Sequence, residues 1–321
     1  MKPSFHVRLL NSPFEDPSLY VRILRESHAL IFDIGFTTGL SSRDILKINN
    51  VFVSHMHIDH FIGFDNILRT SLNKESPLKL FGPAGFIDCI EGKLRGYTWN
   101  LIRDYPLIIE VAEITDDFIT KARFRADNSF GREDQGSRPF KGAIMKNAYC
   151  QVSAAILDHQ IPCLAFSLEE DYHINIDKAR LKELNLPVGP WLKNLKTAIR
   201  ANQRRQLFDI SGRQYSFSEL KDIATISKGQ KLSYVVDAVG SDDNIEKIIE
   251  LVKGSDLLYI ETYFAEKDKD RAIERYHLTA KEAGKIARKA GVGRMEAIHF
   301  SPKYMNNPEE LIREAKEEFD S

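Results

Sequence analysis

One run of seven residues, Ser54-His55-Met56-His57-Ile58-Asp59-His60, constrains this chain more than any other stretch. It directly follows the apolar run Val51-Phe52-Val53, which predicts a strand. The two-residue period of a strand places the first two histidines of the run on one side, and its last two residues then open a predicted helix that continues through Arg69. Imidazole and carboxylate together suit zinc and similar divalent metals. The alternative, histidines clustered by chance in a solvated turn, leaves this strand-to-helix context unexplained.

Length, charge and cysteine usage limit the class of protein. A chain of 321 residues can bury a large core as one domain carrying an insertion. The formal net charge of -1 means that any site for a polyanion must be a local patch. Three scattered cysteines without a CxxC pair predict reduced thiols and a cytoplasmic location. The first six residues lack the apolar region of a signal peptide, and no run approaches transmembrane length, so no membrane association is expected.

The first half of the chain predicts strands separated by turn residues. Strands are expected at residues 5–10, 19–24, 29–33 and 78–81. Ser42 is expected to cap a short helix, and a helix is expected after Gly82-Pro83. The polar segment 116–142 reads as a loop or hairpin.

The last third predicts alternating strands and helices. Strands at 232–236, 257–260 and 295–298 alternate with helices at 244–252 and 279–290, the second capped by Thr279, and an amphipathic helix at 307–319 closes the chain. Asp237 and His299 follow apolar strands, where polar side chains point into a shared cleft. His159 lies between two apolar runs, and such a histidine is usually structural. A zinc site here needs a further nitrogen ligand, which makes His159 a candidate ligand.

The segment 171–229 is locally basic. It contains eleven lysines and arginines against six acidic residues, with a Leu-Pro-Val-Gly-Pro-Trp-Leu element inside it. An ordinary solvated helical face would account for this charge as well as a polyanion site would.

Five stretches, in order along the chain, resemble a known family. They are residues 54–60, the His-x-Ile-Pro segment from His159 to Glu170, the element at 186–192, the segment 276–283 and the segment 297–304, which contains His-Phe-Ser-Pro-Lys-Tyr. The first is similar to the His-x-His-x-Asp-His signature of the metallo-β-lactamase superfamily. Together the five resemble one branch of it, the ribonuclease Z family of tRNA 3′-processing endonucleases.

The resemblance implies an α/β fold, a four-layer αβ/βα metallo-β-lactamase sandwich, in a single domain over 1–321 with an inserted basic arm at 171–229. It implies two divalent ions, zinc, which would be held by two sets of ligands and one bridging residue. His55, His57 and His159 would hold one ion, Asp59, His60 and His299 the other, and Asp237 would bridge them. It also implies a homodimer.

The resemblance further assigns catalytic and substrate-binding residues. Asp59 would accept a proton from the attacking water, and His277 would be the accessory catalytic histidine. Gly189 and Pro190, with Lys193 and Lys196, would belong to the arm that grips the RNA, a precursor tRNA. Two divalent ions suit phosphodiester hydrolysis because they stabilise the charge on both the attacking and the departing oxygen of an in-line displacement.

The chain departs from the family pattern in two places. Leu9 to Glu15 stand where a glycine-rich opening and a basic loop are usual, and Ala238 follows Asp237 where a hydroxyl residue is usual. The expected function is a zinc-dependent phosphodiesterase that cleaves the 3′ extension of tRNA precursors. The alternative is a metallo-hydrolase of a small phosphodiester such as a cyclic nucleotide, which has no use for a protruding basic insertion. A nucleic-acid-binding module with an inactive site is disfavoured because every expected ligand type is in place.

Overall fold

Two β-sheets frame the chain in a computed structural model that describes residues 5–24 and 28–321. The first sheet has eight strands in chain order. They are β1 (Phe5–Leu9), β2 (Leu19–Ile23), β3 (Ala29–Phe32), β4 (Ile48–Phe52), β5 (Leu78–Gly82), β6 (Ile108–Ile114), β7 (Phe118–Arg125) and β8 (Arg132–Pro139). Strands β3 to β6 pair in parallel, and the pairs on either side of them are antiparallel.

The second sheet has six strands, and a smaller unit is inserted along the chain between its third and fourth strands. The six are β9 (Ala143–Lys146), β10 (Cys150–Asp158), β11 (Pro162–Glu170), β16 (Lys231–Val235), β17 (Leu257–Glu261) and β18 (Met295–Ile298). Their order in the sheet is β18-β17-β16-β11-β10-β9, with β16, β17 and β18 parallel. The carboxyl ends of these three strands therefore meet at one edge.

Aromatic side chains join the two sheets face to face. Phe32 of the first sheet lies 5.6 Å from Phe166 and 5.8 Å from Tyr234 of the second, measured between ring centroids. Phe52 lies 5.7 Å from Phe166. All four rings are buried, so their faces form the centre of the sandwich.

Helices cover the outer face of each sheet. On the first sheet they are α1 (Ser42–Ile45), α2 (Ile58–Phe61), α3 (Phe64–Ser71) and α4 (Phe86–Arg95). Their apolar residues share one buried cluster with alternate residues of the strands, such as Ile31, Val51 and Leu80. On the second sheet, α8 (Asp242–Val252) and α10 (Ala280–Lys289) pack in the same way, and α11 (Pro308–Asp320) packs on α10. The predicted order of layers, αβ/βα, is confirmed.

The second compact unit comprises Lys146–Gln151 and Glu169–Gln230. Its elements are β12 (Tyr172–Ile176), α5 (Lys178–Glu183), α6 (Trp191–Arg200), β13 (Leu207–Ile210), β14 (Arg213–Ser216), α7 (Phe217–Leu220) and β15 (Ala224–Lys228). Strands β12 and β15 pair antiparallel, as do β13 and β14. The unit has its own apolar cluster, which includes Trp191, Leu195 and Phe208. A short helix α9 (Lys269–Arg275) completes the first unit.

Two local expectations differ from the structure, and one of two alternatives left open for a third segment is decided. The cap of α1 is Ser41, whose hydroxyl accepts from the backbone N–H of Asp44 at 3.2 Å, and not Ser42. The segment 116–142, expected as a loop or a hairpin, is a hairpin, since it supplies β7 and β8, which pair antiparallel. The exposed edge position of β8 explains its polar composition. The single helix expected after the metal-binding run is two short helices, α2 and α3, separated at Gly63.

The break at Gly63 has a tertiary cause. Its backbone N–H donates to the carbonyl of Ile34 at 2.8 Å, and the N–H of Ile34 donates to the carbonyl of His60 at 2.9 Å. A Cβ atom at Gly63 would lie 2.3 Å from the carbonyl oxygen of Gly35. The loop after β3 therefore takes hydrogen bonds that a continuous helix would need for itself.

Among the described residues, no helix has the length and apolar character needed to cross a membrane.

Candidate metal centre

Polar residues that end or follow strands of the first unit meet at one place. They are His55 and His57 after β4, Asp59 and His60 in α2, His159 after β10, Asp237 after β16, Glu261 at the end of β17, His277 before α10, and His299 after β18. Asp237 and His299 have positive φ angles of 50° and 55°. This backbone conformation is uncommon outside glycine, and it ends each strand in a sharp turn at the site.

The first group of possible metal ligands is His55, His57, His159 and Asp237, whose ligand atoms lie within 4.8 Å of one another. Nε2 of His55 is 2.8 Å from Nδ1 of His57 and 3.3 Å from Oδ2 of Asp237. Nε2 of His159 is 3.7 Å from the same carboxylate oxygen. Three nitrogens and one oxygen facing a common point are a donor set for zinc.

The second group is Asp59, His60 and His299. Nε2 of His60 lies 3.4 Å from Oδ2 of Asp59 and 3.2 Å from Oδ2 of Asp237. Nε2 of His299 lies 3.7 Å from Oδ2 of Asp59. The structure thus brings together all seven residues expected as ligands, and the Asp237 carboxylate faces both groups.

Unpaired buried atoms indicate that a cation fits here. Nε2 of His60, Oδ1 of Asp237 and Nδ1 of His299 are buried and make no hydrogen bond with any described residue. Nδ1 of His299 lies 2.8 Å from Oδ1 of Asp237, yet without hydrogen-bond geometry. Buried polar atoms are normally paired, so these atoms are explained if they face a ligand. The chemistry of the donors, imidazole and carboxylate, is that of a divalent metal site.

The ionisation of the two carboxylates and of His55 suits a cation. Burial raises the pKa of Asp237, but His299 and His60 outweigh burial and hold that pKa well below the usual range. Asp59 also has a lowered pKa, because His299 and His60 lie against it and overcome burial. Burial, together with the charge of His60, lowers the pKa of His55 to about 2. Ionised carboxylates and a neutral imidazole are the states in which these groups bind metals.

Hydrogen bonds from outside the ligand set orient two of the imidazoles. Nδ1 of His159 lies 2.7 Å from the backbone carbonyl of Tyr276, and Nδ1 of His60 lies 2.8 Å from Oδ2 of the buried Asp33. Each bond fixes the ring so that Nε2 faces the centre.

Glu261 is a site residue that the sequence interpretation missed. It is fully buried, and its Oε2 accepts from Nδ1 of His277 at 2.9 Å. Its Oε1 accepts the backbone N–H groups of Ala238 and Leu278 at 2.9 and 3.0 Å. The rule that identified Asp237, a polar residue at the end of an apolar strand, would have found it. The bond to Ala238 also shows that the main chain after Asp237 is held without a hydroxyl at this position.

His277 lies against the metal centre, and its side chain is 11% exposed. Its Nδ1 is 3.7 Å from Oδ1 of Asp237, and it could join a third ligand group with Asp237, Glu261 and His299. The closer bond to Glu261 occupies Nδ1 and leaves Nε2 as the nitrogen available to a further partner. This arrangement suits proton transfer better than metal ligation.

The residues expected to bind substrate lie in the second unit. Pro190 is the N-cap of α6, and the indole N–H of Trp191 donates to the carbonyl of Pro187 at 2.9 Å. Gly189 precedes them in this turn, which seats Trp191 in the core of the unit. Lys193 is exposed on α6, and Lys196 is half-buried.

Comparisons with known proteins agree with the predicted resemblance. No family model matches the chain. It is 28% identical over 316 residues to a curated protein named Ribonuclease Z from Deinococcus radiodurans, covering 96% of this chain and 94% of that protein. Among solved structures, the metallo-beta-lactamase fold protein YhfI from Bacillus subtilis has a TM-score of 0.57 at 14% identity, covering 98% of this chain and 93% of that chain. Human tRNase Z, short form, has a TM-score of 0.54 at 18% identity, covering 94% and 93%.

These comparisons confirm two expectations. The fold is that of the metallo-β-lactamases. The similarity to proteins named Ribonuclease Z extends over nearly the whole chain, as the five motifs predicted. The fold and the clustered ligands together indicate divalent metal binding.

Proposed function

We propose that this chain, a metallo-β-lactamase-fold relative of ribonuclease Z, is a metal-dependent endoribonuclease that removes the 3′ extension of tRNA precursors. The observation that carries the proposal is the pair of ligand groups on either side of Asp237, which belongs to the first and lies 3.2 Å from His60 of the second. Two adjacent metal sites suit displacement at a phosphodiester. The sequence similarity supports tRNA as the substrate.

The ligand roles follow the two groups. His55, His57 and His159 would hold one zinc ion, Asp59, His60 and His299 the second, and Asp237 would contact both. When bound, the ions would activate water and stabilise negative charge on the reacting phosphate.

The chain itself supplies the proton transfers. The Asp59 side chain is 39% exposed, so water can reach it, and its carboxylate would accept a proton from that water. His277, held through Nδ1 by Glu261, would direct Nε2 at the phosphate and deliver a proton to the departing 3′ oxygen.

The second unit would bind the body of the RNA. Lys193, Arg204 and Arg205 are exposed cations of this unit, and Lys196 lies on the same helix as Lys193. Contacts of this kind bind phosphates without reading sequence and weaken as salt rises. The turn at Gly189 and Pro190 would hold α6, and therefore its lysines, in place. In this proposal 171–229 is an inserted arm of a single domain spanning 1–321.

The alternative substrate, a small phosphodiester, is not favoured. Such a substrate would use the metal centre but would leave an exposed basic unit with its own core unexplained. The proposed homodimer follows from the resemblance, and light scattering on the purified protein tests it. The proposed cytoplasmic location rests on the free cysteines at positions 89, 150 and 163.

Incubation with a 3′-extended tRNA precursor tests the activity. We expect cleavage at one position near the mature 3′ end, abolished by chelator and restored by zinc. Asp59→Ala serves as the inactive control. If the enzyme hydrolyses a cyclic nucleotide and leaves the precursor intact, the small-phosphodiester function replaces the proposed one.

Charge reversal tests the arm more cleanly than deletion, because deletion around Gly189 would expose the core at Trp191. The triple variant Lys193→Glu, Arg204→Glu, Arg205→Glu should raise KM for the precursor and flatten its salt dependence, while hydrolysis of bis-p-nitrophenyl phosphate stays unchanged. A matched control reverses the exposed Lys285, Lys289 and Lys316 of α10 and α11. Equal effects of the two triple variants would remove the RNA-binding role from the arm.

A further inference from the structure

Tyr234 places a hydroxyl group in the centre of the sandwich. It lies on β16 and has no exposed surface. Its Oη donates to Oδ2 of Asp33 at 2.9 Å, and Asp33 is equally buried. A carboxylate in such surroundings is costly unless its oxygens are paired, so the phenol offsets part of that cost.

The Asp33 carboxylate accepts hydrogen bonds from several residues besides Tyr234. Its Oδ1 accepts the backbone N–H of Ser54 at 2.7 Å, and its Oδ2 accepts the Ser54 hydroxyl at 2.8 Å. Nδ1 of His60 lies 2.8 Å from the same Oδ2. The orientation of this carboxylate therefore decides where the His60 ring points, and Tyr234 supplies the donor that comes from the opposite sheet.

The position of Tyr234 in the sheets links its hydrogen bond with Asp33 to the metal centre. Asp237 follows Tyr234 by three residues, beyond the end of the same strand. Asp33 follows β3 in the first sheet and has a positive φ of 51°. The Phe32 ring stacks on the Tyr234 ring at 5.8 Å, with 27° between their planes, which limits rotation of the phenol. Hydrogen bonds thus connect β16, the strand that Asp237 follows, to His60 by way of Asp33.

We propose that Tyr234 is a positioning residue of the metal centre. By holding Asp33, it keeps Nε2 of His60 facing Asp59 and Asp237, at the place of the second ion. In this role it would act through Asp33 and touch neither an ion nor the substrate. The proposal rests on the metal centre in the proposed function, but it concerns metal binding and does not depend on which phosphodiester is cleaved.

The experiment measures zinc binding to the metal-free Tyr234→Phe protein in competition with a chromophoric chelator. Phenylalanine preserves the ring and removes only the donor. We expect one of two ions to bind about 10–100-fold more weakly, as is typical when an outer hydrogen bond to a ligand is lost, and the other to bind as in the wild type. Tyr20→Phe is the matched control, because Tyr20 is also buried and its hydroxyl has no hydrogen-bond partner among the described residues.

Several outcomes would overturn the proposal. Wild-type affinity for both ions would do so, and so would an equal loss at both sites, which indicates general damage to the fold. Should Tyr234→Phe fail to fold, Asp33→Asn must show the same loss at one site only; normal binding by that variant also overturns the proposal. The two proposals can fail separately. If the wild-type protein does not cleave a tRNA precursor while Tyr234→Phe still loses affinity for one ion only, the proposed function is disproved and this inference stands.

Discussion

The Tyr263 ring lies parallel to the imidazole of His277, with 3.7 Å between ring centroids and 3° between planes. Glu261 holds the same imidazole through Nδ1 at 2.9 Å. A carboxylate fixes the ring at one edge, and an aromatic face blocks its tilt. Nε2, the nitrogen that the proposed mechanism directs to the substrate, therefore has a defined position before any substrate arrives.

Removing the stacking ring should slow the reaction. Tyr263→Ala allows the His277 imidazole to tilt, and stacking of this kind is worth about 0.5–1.5 kcal/mol, so kcat on a tRNA precursor should fall about 2- to 10-fold. Tyr263→Phe keeps the ring and should retain nearly full kcat. Single-turnover cleavage at saturating enzyme separates this effect from binding. If the phenylalanine variant is as slow as the alanine variant, the hydroxyl of Tyr263 and not the stack is responsible.

His277 should affect turnover without affecting metal content. Its Nδ1 is bound by Glu261, so His277→Ala removes a proton-transfer group and no predicted ligand. Turnover should drop by roughly 10²–10⁴, the usual loss for an acid–base group. Metal analysis of the same preparation should still give about two ions per chain, as for the wild type. A preparation that has lost an ion would instead identify His277 as a ligand.

The clustering of the seven proposed ligands could be predicted from sequence because these residues sit in recognisable places. The run 54–60 concentrates donors in one turn, and strand-end positions pointed to Asp237 and His299. His159 needed the further argument that zinc requires another nitrogen. Glu261 was missed because a lone glutamate at the end of a strand is unremarkable until its partner is known. That partner, His277, lies sixteen residues away along the chain.

Other features depend on contacts that sequence does not display. The break at Gly63 arises from the loop after β3, which is remote in sequence. Strand β8 has the composition of a loop because an edge strand with two exposed faces needs no apolar alternation. The bond from Tyr234 to Asp33 joins residues 201 positions apart. Local sequence patterns predict helices and strands, whereas contacts between residues distant in sequence form only when the two sheets pack together.

Gly63 should tolerate no side chain. Its backbone φ of -76° suits any residue, so the obstacle is the carbonyl oxygen of Gly35, 2.3 Å from the position of a Cβ. Gly63→Ala should lower the free energy of unfolding by about 1–3 kcal/mol, as overpacking does, and reduce zinc content because α2 carries Asp59 and His60. Urea titration measures the first effect and metal analysis the second.

Gly92 provides the control for this substitution. It lies within α4, and a Cβ there meets no atom within 4 Å. Gly92→Ala should therefore raise the free energy of unfolding, by about 0.5–1 kcal/mol, since alanine is the better helix former. A Gly63→Ala protein as stable as the wild type would show that the loop after β3 can move aside.

The stability of the fold should depend on pH through Lys74. This lysine is buried, its Nζ donates to the backbone carbonyl of Ile48, and burial lowers its pKa to about 8. Below pH 8 the lysine is charged in both the folded and the unfolded chain, so the folded state bears the full cost of burying the charge. As pH rises from 8 towards 10.5, the pKa of Lys74 in the unfolded chain, the folded state releases its proton first and that cost disappears.

Lys74→Met should therefore have a larger stability advantage at pH 7 than at pH 10, by about 1 kcal/mol after allowance for partial solvent access. Changes that methionine makes independently of pH, such as altered packing, cancel in this comparison, and the effect of protonation on the bond to Ile48 is already contained in the pKa of Lys74. Urea unfolding of the chelator-treated proteins at the two pH values measures it, with Lys79→Met, at an exposed position on β5, as the control. A Lys74→Met advantage that is the same at pH 7 and pH 10 would mean that Lys74 keeps its charge in the folded protein throughout this range.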